Sequence, residues 1–295
     1  MIKDNDPKCP NCKTPKKVGI KFRDINKFNI YYCKLCQNGF TYPVPKNISV
    51  YYHSNYWTSP GAFGKTKNLI FHIFHIRRIG WIKKYLIKGK ILEIGAGEGN
   101  FEKFLGGNYK VTGLEFPSAK IKNEKILKTD YLKWKTSRKF DAVIFWESLE
   151  HVAKPEEYLK KSFGLLKNNG FVFIEFPRFD CLESRIFKSH WFHLDVPRHL
   201  VHLTDNGITI ILKRAGFKVL KKETVFAPEY TVWGFIESTL DVFHIKSTDH
   251  FKKTKFSIFF LILLPLIGIS FLIEILLMVN DESPIGFVAA RKINV

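Results

Sequence analysis

The stretch Ile91-Leu-Glu-Ile-Gly-Ala-Gly-Glu-Gly99 decides the architecture. Ile91, Leu92 and Ile94 supply a buried strand, and Gly95, Gly97 and Gly99 follow at once, where any Cβ would stand between the backbone and whatever it approaches. Phe101, Phe104 and Leu105 recur at helical spacing, so the turn is expected to end on a helix amino terminus with free N–H groups facing a ligand. Outward from there the alternation repeats. Lys110 to Glu115 reads as a second strand ending in an acid, Lys125 to Asp130 as a third, and Phe140 to Trp146 as a fourth whose near-continuous apolar run suits a parallel sheet covered on both faces. Glu147 to Val152 opens the next helix, Leu165 to Gly170 closes it on an Asn-Gly turn, and Phe171 to Pro177 is the fifth strand. A helix from Ile208 to Ala215 stops at Gly216, a sixth strand starts at Phe217, and Ile285 to Ala290 is the last. The expectation is an α/β fold, an open sheet with ligands outside the carboxyl ends of its strands.

Spacing narrows the ligand. A dinucleotide fingerprint needs Gly or Ala at position 100, where the chain has Asn100, and the observed order is acid-x-G-x-G-x-G with Glu93 as the acid. In this order the chain resembles the class I S-adenosylmethionine-dependent methyltransferases, and Phe140 to Val152 resembles a segment of those acting on small molecules of the quinone and polysaccharide type. The resemblance runs over residues 88 to 230 plus the tail. It implies a Rossmann-like sheet of seven strands with the last one antiparallel, and S-adenosyl-L-methionine as cofactor. It further implies that Glu93 helps hold the methionine ammonium, that Gly95, Gly97 and Gly99 pass under the amino acid and ribose, and that Asp130 accepts from the adenine amino group. Tyr131, Trp146 and Glu147 are the remaining cofactor contacts it implies. A carboxylate at Glu115 can accept both ribose hydroxyls, which suits either cofactor class.

The amino-terminal segment carries a separate signal. Cys9-Pro-Asn-Cys12 and Cys33-Lys-Leu-Cys36 have the spacing of a four-thiolate zinc ribbon, in which a structural Zn2+ supplies folding energy that so small a segment cannot obtain from a core. Lys13 and Gln37 stand where a glycine often follows each pair. The polar opening from Met1 to Pro10 lacks the apolar centre of a signal peptide, so a reducing cytoplasm and metal ligation are expected rather than disulfides. Cys181 is left over and reads as a small buried side chain. With its aromatic sequel, the ribbon is similar to a subgroup of bacterial cell-envelope polysaccharide methyltransferases. Tyr51, Tyr52, Tyr56 and Trp57 then read as a lid or sugar-stacking surface, or as packing between two domains. Ser59 to Thr66 imitates the end of a P-loop but lacks its first glycine and a preceding strand, and is discounted.

Near the carboxyl terminus, Phe256 to Ile273 contains no ionisable side chain, with Lys252, Lys253 and Lys255 before it. Pro265 and Gly268 interrupt the run, and neither arm is long enough to cross about 30 Å of hydrocarbon. A last strand at 285–290 must also return the chain to the side it left. An apolar helical hairpin in the membrane interface is expected, with a buried helix pair or a dimer interface as the alternative. The formal charge of +20, from 47 Lys plus Arg against 27 Asp plus Glu, asks for an acidic partner such as an anionic membrane surface. Nucleic acid is disfavoured, because Trp146-Glu-Ser-Leu lacks the Asn/Asp-Pro-Pro-aromatic motif in which nucleic-acid amino-group methyltransferases resemble one another. Asn68 to Ile87 interleaves apolar and basic residues and reads as a helix packed on the sheet. The expected divisions are a ribbon at 1–46, an aromatic linker and lead-in helix at 47–87, the catalytic domain at 88–230, a membrane-associating insertion at 231–283 and the last strand at 284–295.

Methyl transfer from a sulfonium needs mainly alignment, and a base only where the acceptor loses a proton. Candidates gather after the fourth strand, at His151, and after the fifth, between Ser189 and His202. The segment His193-Leu-Asp-Val-Pro-Arg-His199 resembles a loop of the polysaccharide-associated subgroup beside the acceptor pocket, which implies His193 or His199 as base and Arg198 as an anion clamp. The expected function is O-methylation of a lipid-linked glycan, nucleotide sugar or similar envelope precursor by a cytoplasmic protein, peripheral or monotopic at the inner membrane face. A quinone-type lipid phenol, RNA, and a non-catalytic adaptor that keeps the cofactor are the alternatives.

Overall fold

From edge to edge the main sheet is ordered β10 (Phe217–Thr224), β11 (Ile285–Lys292), β8 (Leu166–Pro177), β7 (Phe140–Trp146), β4 (Gly89–Ile94), β5 (Tyr109–Glu115) and β6 (Leu127–Lys128). The computed structural model describes residues 7–13, 18–52, 64–245 and 256–293. Strands β4 to β8 pair in parallel, and β11 runs antiparallel to both of its neighbours. This is the Rossmann-like sheet with its last strand reversed. Ala142, Val143, Ile144 and Phe145 have no exposed surface, as the unbroken apolar run of a strand covered on both faces requires.

Several boundaries depart from the sequence reading. The helix after the glycine turn, α2 (Glu102–Leu105), is a single turn, because Gly106 and Gly107 end it at once. The third strand shrinks to two residues. After β7 the chain makes a short 3-10 turn at Leu149–His151, and α3 (Pro155–Leu165) begins only where a proline takes the first helical position. Strand β8 starts directly after α3, and the expected Asn-Gly stop is a bulge within it: pairing jumps from Phe140↔Leu166 to Ala142↔Phe171, with Asn169 at φ +60°. Helix α1 (Gly64–Tyr85) packs on the sheet as expected, Trp81 stacking on Phe287 with centroids 3.8 Å apart.

The ribbon is built into this body. Strands β1 (Val18–Ile25), β2 (Phe28–Cys33) and β3 (Gly39–Tyr42) form an antiparallel sheet, completed by β9 (Val201–His202), which pairs with β3 through Gly39↔His202 and Phe40↔Val201. Strand β9 follows α4 (Leu182–Phe187), and Cys9, Cys33, Cys36 and Phe40 share one buried cluster with Val201, Ile208 and Leu212. A polar key fixes the seam. Asn38 Oδ1 accepts the Thr204 N–H at 3.0 Å, while Thr204 caps α5 (Asp205–Arg214) by accepting from Gly207 at 2.9 Å and donates to the Gln37 carbonyl at 2.6 Å. A Cβ at Gly207 would lie 1.9 Å from Asn38 Oδ1, so only glycine admits this fit.

The carboxyl-terminal apolar run corrects an expectation. It is one continuous helix, α7 (Phe256–Val279), that passes through Pro265 without breaking and packs along α6 (Pro228–Val242). The expected hairpin with arms divided at Pro265 and Gly268 does not form. Buried contacts beyond the proline, at Ser270, Glu274 and Leu277, hold the helix to the body over its last turns and outweigh the one backbone bond that proline removes. Among the described residues no helix is long and apolar enough to cross a membrane. Tyr56, Trp57 and Ser59 to Phe63 of the discounted P-loop imitation lie outside the described residues, as do Lys252, Lys253 and Lys255.

The seam makes a stability prediction. Asn38→Ala leaves the buried Thr204 N–H without its acceptor and should cost about 1–3 kcal/mol. Gly207→Ala should cost at least as much, and thermal unfolding followed by circular dichroism reads both. Midpoints equal to the parent's for both variants would show that the key does not hold the ribbon.

Candidate functional site

The carboxyl ends of β4, β5 and β7 open on a cavity of about 280 Å³. Ile94, Gly95, Gly97 and Leu114 line it from the first two strands, Thr129 and Tyr131 from beyond β6, and Trp146, Glu147, Ser148 and His151 from the end of β7. Tyr52, Arg78 and Tyr230 close over it from the linker, α1 and α6.

The glycine turn is shaped for close approach. Gly95 sits at φ +78°, and a Cβ there would lie 2.5 Å from that of Ser148, whose hydroxyl donates to the Ile94 carbonyl at 2.7 Å. The Gly97 N–H donates to Glu115 Oε2 and the Phe116 N–H to Oε1, both at 2.8 Å. Burial raises the Glu115 carboxyl, and these two bonds oppose that rise. Gly99, at φ +69°, serves packing instead, since a Cβ there would meet Ile126 at 2.7 Å. Asp130 is 39% exposed and accepts from the Leu132 N–H, while its neighbours Thr129 and Tyr131 form the cavity wall.

Among the buried polar atoms without a partner, the Trp146 indole Nε1 and Glu147 Oε1 belong to residues of the cavity wall, and Glu93 Oε2 to the residue just before Ile94. Burial pushes the Glu93 carboxyl up to about 8, with Arg78 pulling the other way. An orphaned carboxylate oxygen, an orphaned indole N–H and a turn that excludes side chains fit S-adenosylmethionine, whose amino-acid end brings both a cation and an acceptor.

Charge compensation at the rim comes from a pair of arginines. Arg78 places NH2 2.5 Å and Nε 3.2 Å from Glu175 Oε1, and Arg77 NH2 lies 3.4 Å from Oε2. Burial alone would raise the Glu175 carboxyl, but the two guanidinium groups outweigh it and hold it below the usual range. Glu147, half-buried on the cavity wall, and Glu150, fully buried, lie beside it and are pushed up, Glu150 to about 8, first by loss of solvent and then by neighbouring carboxylates. Glu147 also adopts φ +49°, a left-handed bend rare for its type, at the point where β7 turns over the cavity.

Of the three histidines the sequence offers as bases, His151, His193 and His199, His151 alone lines the cavity, whose wall also includes His75. Its Nδ1 lies 3.2 Å from the Arg198 carbonyl and 3.1 Å from the Tyr52 hydroxyl. The His199 ring stands behind it, edge to face at 4.6 Å, with its own Nδ1 2.8 Å from the His193 carbonyl. Burial lowers the pKa of both. His193 stacks on Tyr230 at 5.7 Å, away from the cavity wall, and burial lowers it to about 3. Arg198 pairs with Asp195 rather than lining the cavity, Nε donating to Oδ1 at 3.0 Å. Glu150, His151 and His199 each offer one ligand atom within 4.8 Å of the others, a donor set that could take a divalent cation. Tyr230, Arg78 and Glu175 escaped the sequence reading. The one available signal was an acid inside the apolar strand Phe171–Pro177, which needs a buried cationic partner somewhere in the chain.

Cys9, Cys12, Cys33 and Cys36 bring their sulfurs within 4.8 Å of one another, close to the roughly 3.8 Å edge of a tetrahedral thiolate set around zinc. Cys36 is pulled down to about 5, chiefly by its hydrogen bond with Cys9, and Arg214 NH1 donates to Cys12 Sγ at 3.3 Å. These residues fit a structural Zn2+. Cys181 is fully buried and caps α4 by accepting from the Ser184 N–H at 3.4 Å.

Three outcomes follow from this geometry. Gly95→Ala should weaken cofactor binding at least about tenfold, since one displaced contact of 1.4 kcal/mol suffices; titration calorimetry reads it. Below about 8 the free protein keeps a proton on Glu93, so native stability falls as pH rises from the ordinary carboxylate range towards that value. Affinity for a cationic ligand should rise over the same interval and flatten in Glu93→Gln; a pH-independent affinity in the parent would contradict the role. Metal analysis should find one zinc per chain, and removing it should lower the unfolding midpoint of the whole protein.

A family model described as a methyltransferase domain matches residues 77–222. The ubiquinone biosynthesis O-methyltransferase of Pelagibacter ubique is 32% identical over an alignment covering 40% of this chain and 58% of that relative, so the chain spans little more than half of it. Among solved structures, the complex of the Trm112 methyltransferase activator with a methyltransferase from Haloferax volcanii matches with TM-score 0.50 at 11% identity, covering 78% of this chain and 93% of that one. Phosphoethanolamine N-methyltransferase 2 of Haemonchus contortus matches with TM-score 0.49 at 15% identity, covering 84% and 58%. With the acid-led glycine turn, the reversed last strand and the family match in agreement, residues 77–222 are a methyltransferase domain of the class I, S-adenosylmethionine-dependent type.

Proposed function

We propose that this chain transfers a methyl group from S-adenosylmethionine to a hydroxyl oxygen, with His151 as the base. The setting of that ring supports the reading. A carbonyl can only accept, so the contact between Nδ1 and Arg198 O favours the tautomer with its proton on Nδ1, in which Nε2 keeps its lone pair. Tyr52 holds the ring from the linker side. When bound, the cofactor supplies a methyl already activated on sulfur, so the protein's part is to align the acceptor and receive its proton.

The setting of this base supports a choice of acceptor. An imidazole held below its ordinary pKa by burial removes a proton readily only from an acidic hydroxyl. A phenol, near pKa 10 or about that, is within reach, whereas a sugar alcohol is a far weaker acid. Trp146, Tyr158, Tyr230 and Tyr52 give the cavity an aromatic lining suited to a ring. A quinone-type lipid phenol is therefore favoured over an envelope glycan, in keeping with the name of the Pelagibacter ubique relative. One observation favours a second way of activating the same hydroxyl: a divalent cation held by Glu150, His151 and His199 would acidify it directly.

Incubation with methyl-labelled cofactor and separate fractions of lipid phenols, nucleotide sugars, lipid-linked glycans and RNA should place label in the phenols. Label in RNA or in sugars alone would overturn the acceptor, and cofactor binding without any transfer would leave an adaptor. His151→Gln should lower kcat by about 10²–10⁴ with cofactor affinity unchanged. Activity lost on chelation and restored by magnesium would assign His151 to the cation instead.

A further inference from the structure

Over its last turns α7 is amphipathic in the reverse sense. Ser270 and Glu274 are the two polar side chains between 265 and 279, and both are buried. Ser270 Oγ donates to the Leu266 carbonyl at 2.6 Å, and Glu274 Oε1 accepts from the Ser283 hydroxyl at 2.8 Å. On the other side Ile269, Leu272, Leu276 and Val279 recur every three or four residues as one stripe, 51, 62, 62 and 72% exposed. A helix at a water boundary normally turns its polar side outward, so this face is made for a medium other than water.

Charge selects that medium. Residues 246–255, which lead into α7, contain Lys246, Lys252, Lys253 and Lys255 against the single acid Asp249, and the whole chain carries +20. A second copy would bring the same excess of positive charge to the contact. An anionic bilayer interface offers negative headgroups to the lysines and acyl chains to the stripe.

We propose that the exposed stripe of α7 seats this protein on an anionic lipid surface, lying along the boundary between headgroups and acyl chains. The seat adjoins the cavity. Phe271 packs edge to face on Phe226 at 5.8 Å, the Phe226 carbonyl accepts from Arg77 at 3.0 Å, and Tyr230 on the following turn lines the cavity. A docked molecule therefore holds its site at the lipid surface, whatever acceptor it methylates.

Sedimentation of the full chain with vesicles tests this. The protein should pellet with phosphatidylcholine vesicles containing phosphatidylglycerol, and much less with phosphatidylcholine alone. The double variant Leu272→Glu, Leu276→Glu should bind at least tenfold more weakly while keeping its calorimetric affinity for S-adenosylmethionine, which reports an intact fold and is independent of any acceptor. Hydrogen exchange on the parent protein should show residues 268–279 protected by the anionic vesicles, a readout that survives if the variant fails to fold. Equal pelleting of parent and folded variant, or no protection of α7, overturns the proposal. So does a parent that dimerises without lipid through a contact the variant abolishes, since the stripe would then join two copies.

Discussion

The closing of Arg77 and Arg78 on the Glu175 carboxylate is the contact on which the cleft depends. Four carboxylates, the buried Glu93, Glu150 and Glu175 and the half-buried Glu147, gather at the carboxyl ends of three adjacent strands. Only Glu175 is held in its charged form, and it is the one that receives both guanidinium groups. Removing one partner of such a pair strands a charge in a medium that solvates it poorly, at a cost of several kcal/mol. The pair also ties α1 across the top of β8, which sets Trp81 on the sheet and Arg78 on the cavity wall. Glu175 stays charged against its two arginines, while burial pushes Glu93, Glu147 and Glu150 towards their neutral forms.

Much of this was legible in the sequence, for a definite reason. The glycine turn, the apolar strands and the paired cysteines are encoded by neighbours along the chain, so spacing alone reveals them. The short α2, the bulge at Asn169 and the two-residue β6 depend on what packs against them, and local pattern overstates their length. The histidines illustrate the same limit. The resemblance put His193 or His199 forward as the base and left His151 as a further candidate, and only the fold separates the one on the cavity wall from the two behind it. Pro265 misled in the opposite direction: a residue that usually ends a helix was overruled by burial beyond it.

The cavity wall draws on widely separated parts of the chain. The linker contributes Tyr52, the lead-in helix Arg78, the strand ends the glycine turn and Glu115, and α6 contributes Tyr230. The loop that follows the cis Val196–Pro197 peptide bond joins the two functions of the molecule: the His199 carbonyl accepts from Thr41 in the ribbon at 2.7 Å, and its ring backs His151. A change in the ribbon is thus two contacts away from the proposed base.

The pairing of β3 with β9 has a consequence for how the chain is born. The first three strands of the ribbon leave the ribosome before the catalytic domain, yet its fourth strand lies 161 residues later, as the separation of Thr41 and His202 records. Until that segment emerges, β3 presents an unpaired edge to the crowded interior of a cell, the kind of edge that recruits wrong neighbours. Capture of a metal by the two knuckles would give the nascent segment a shape to wait in.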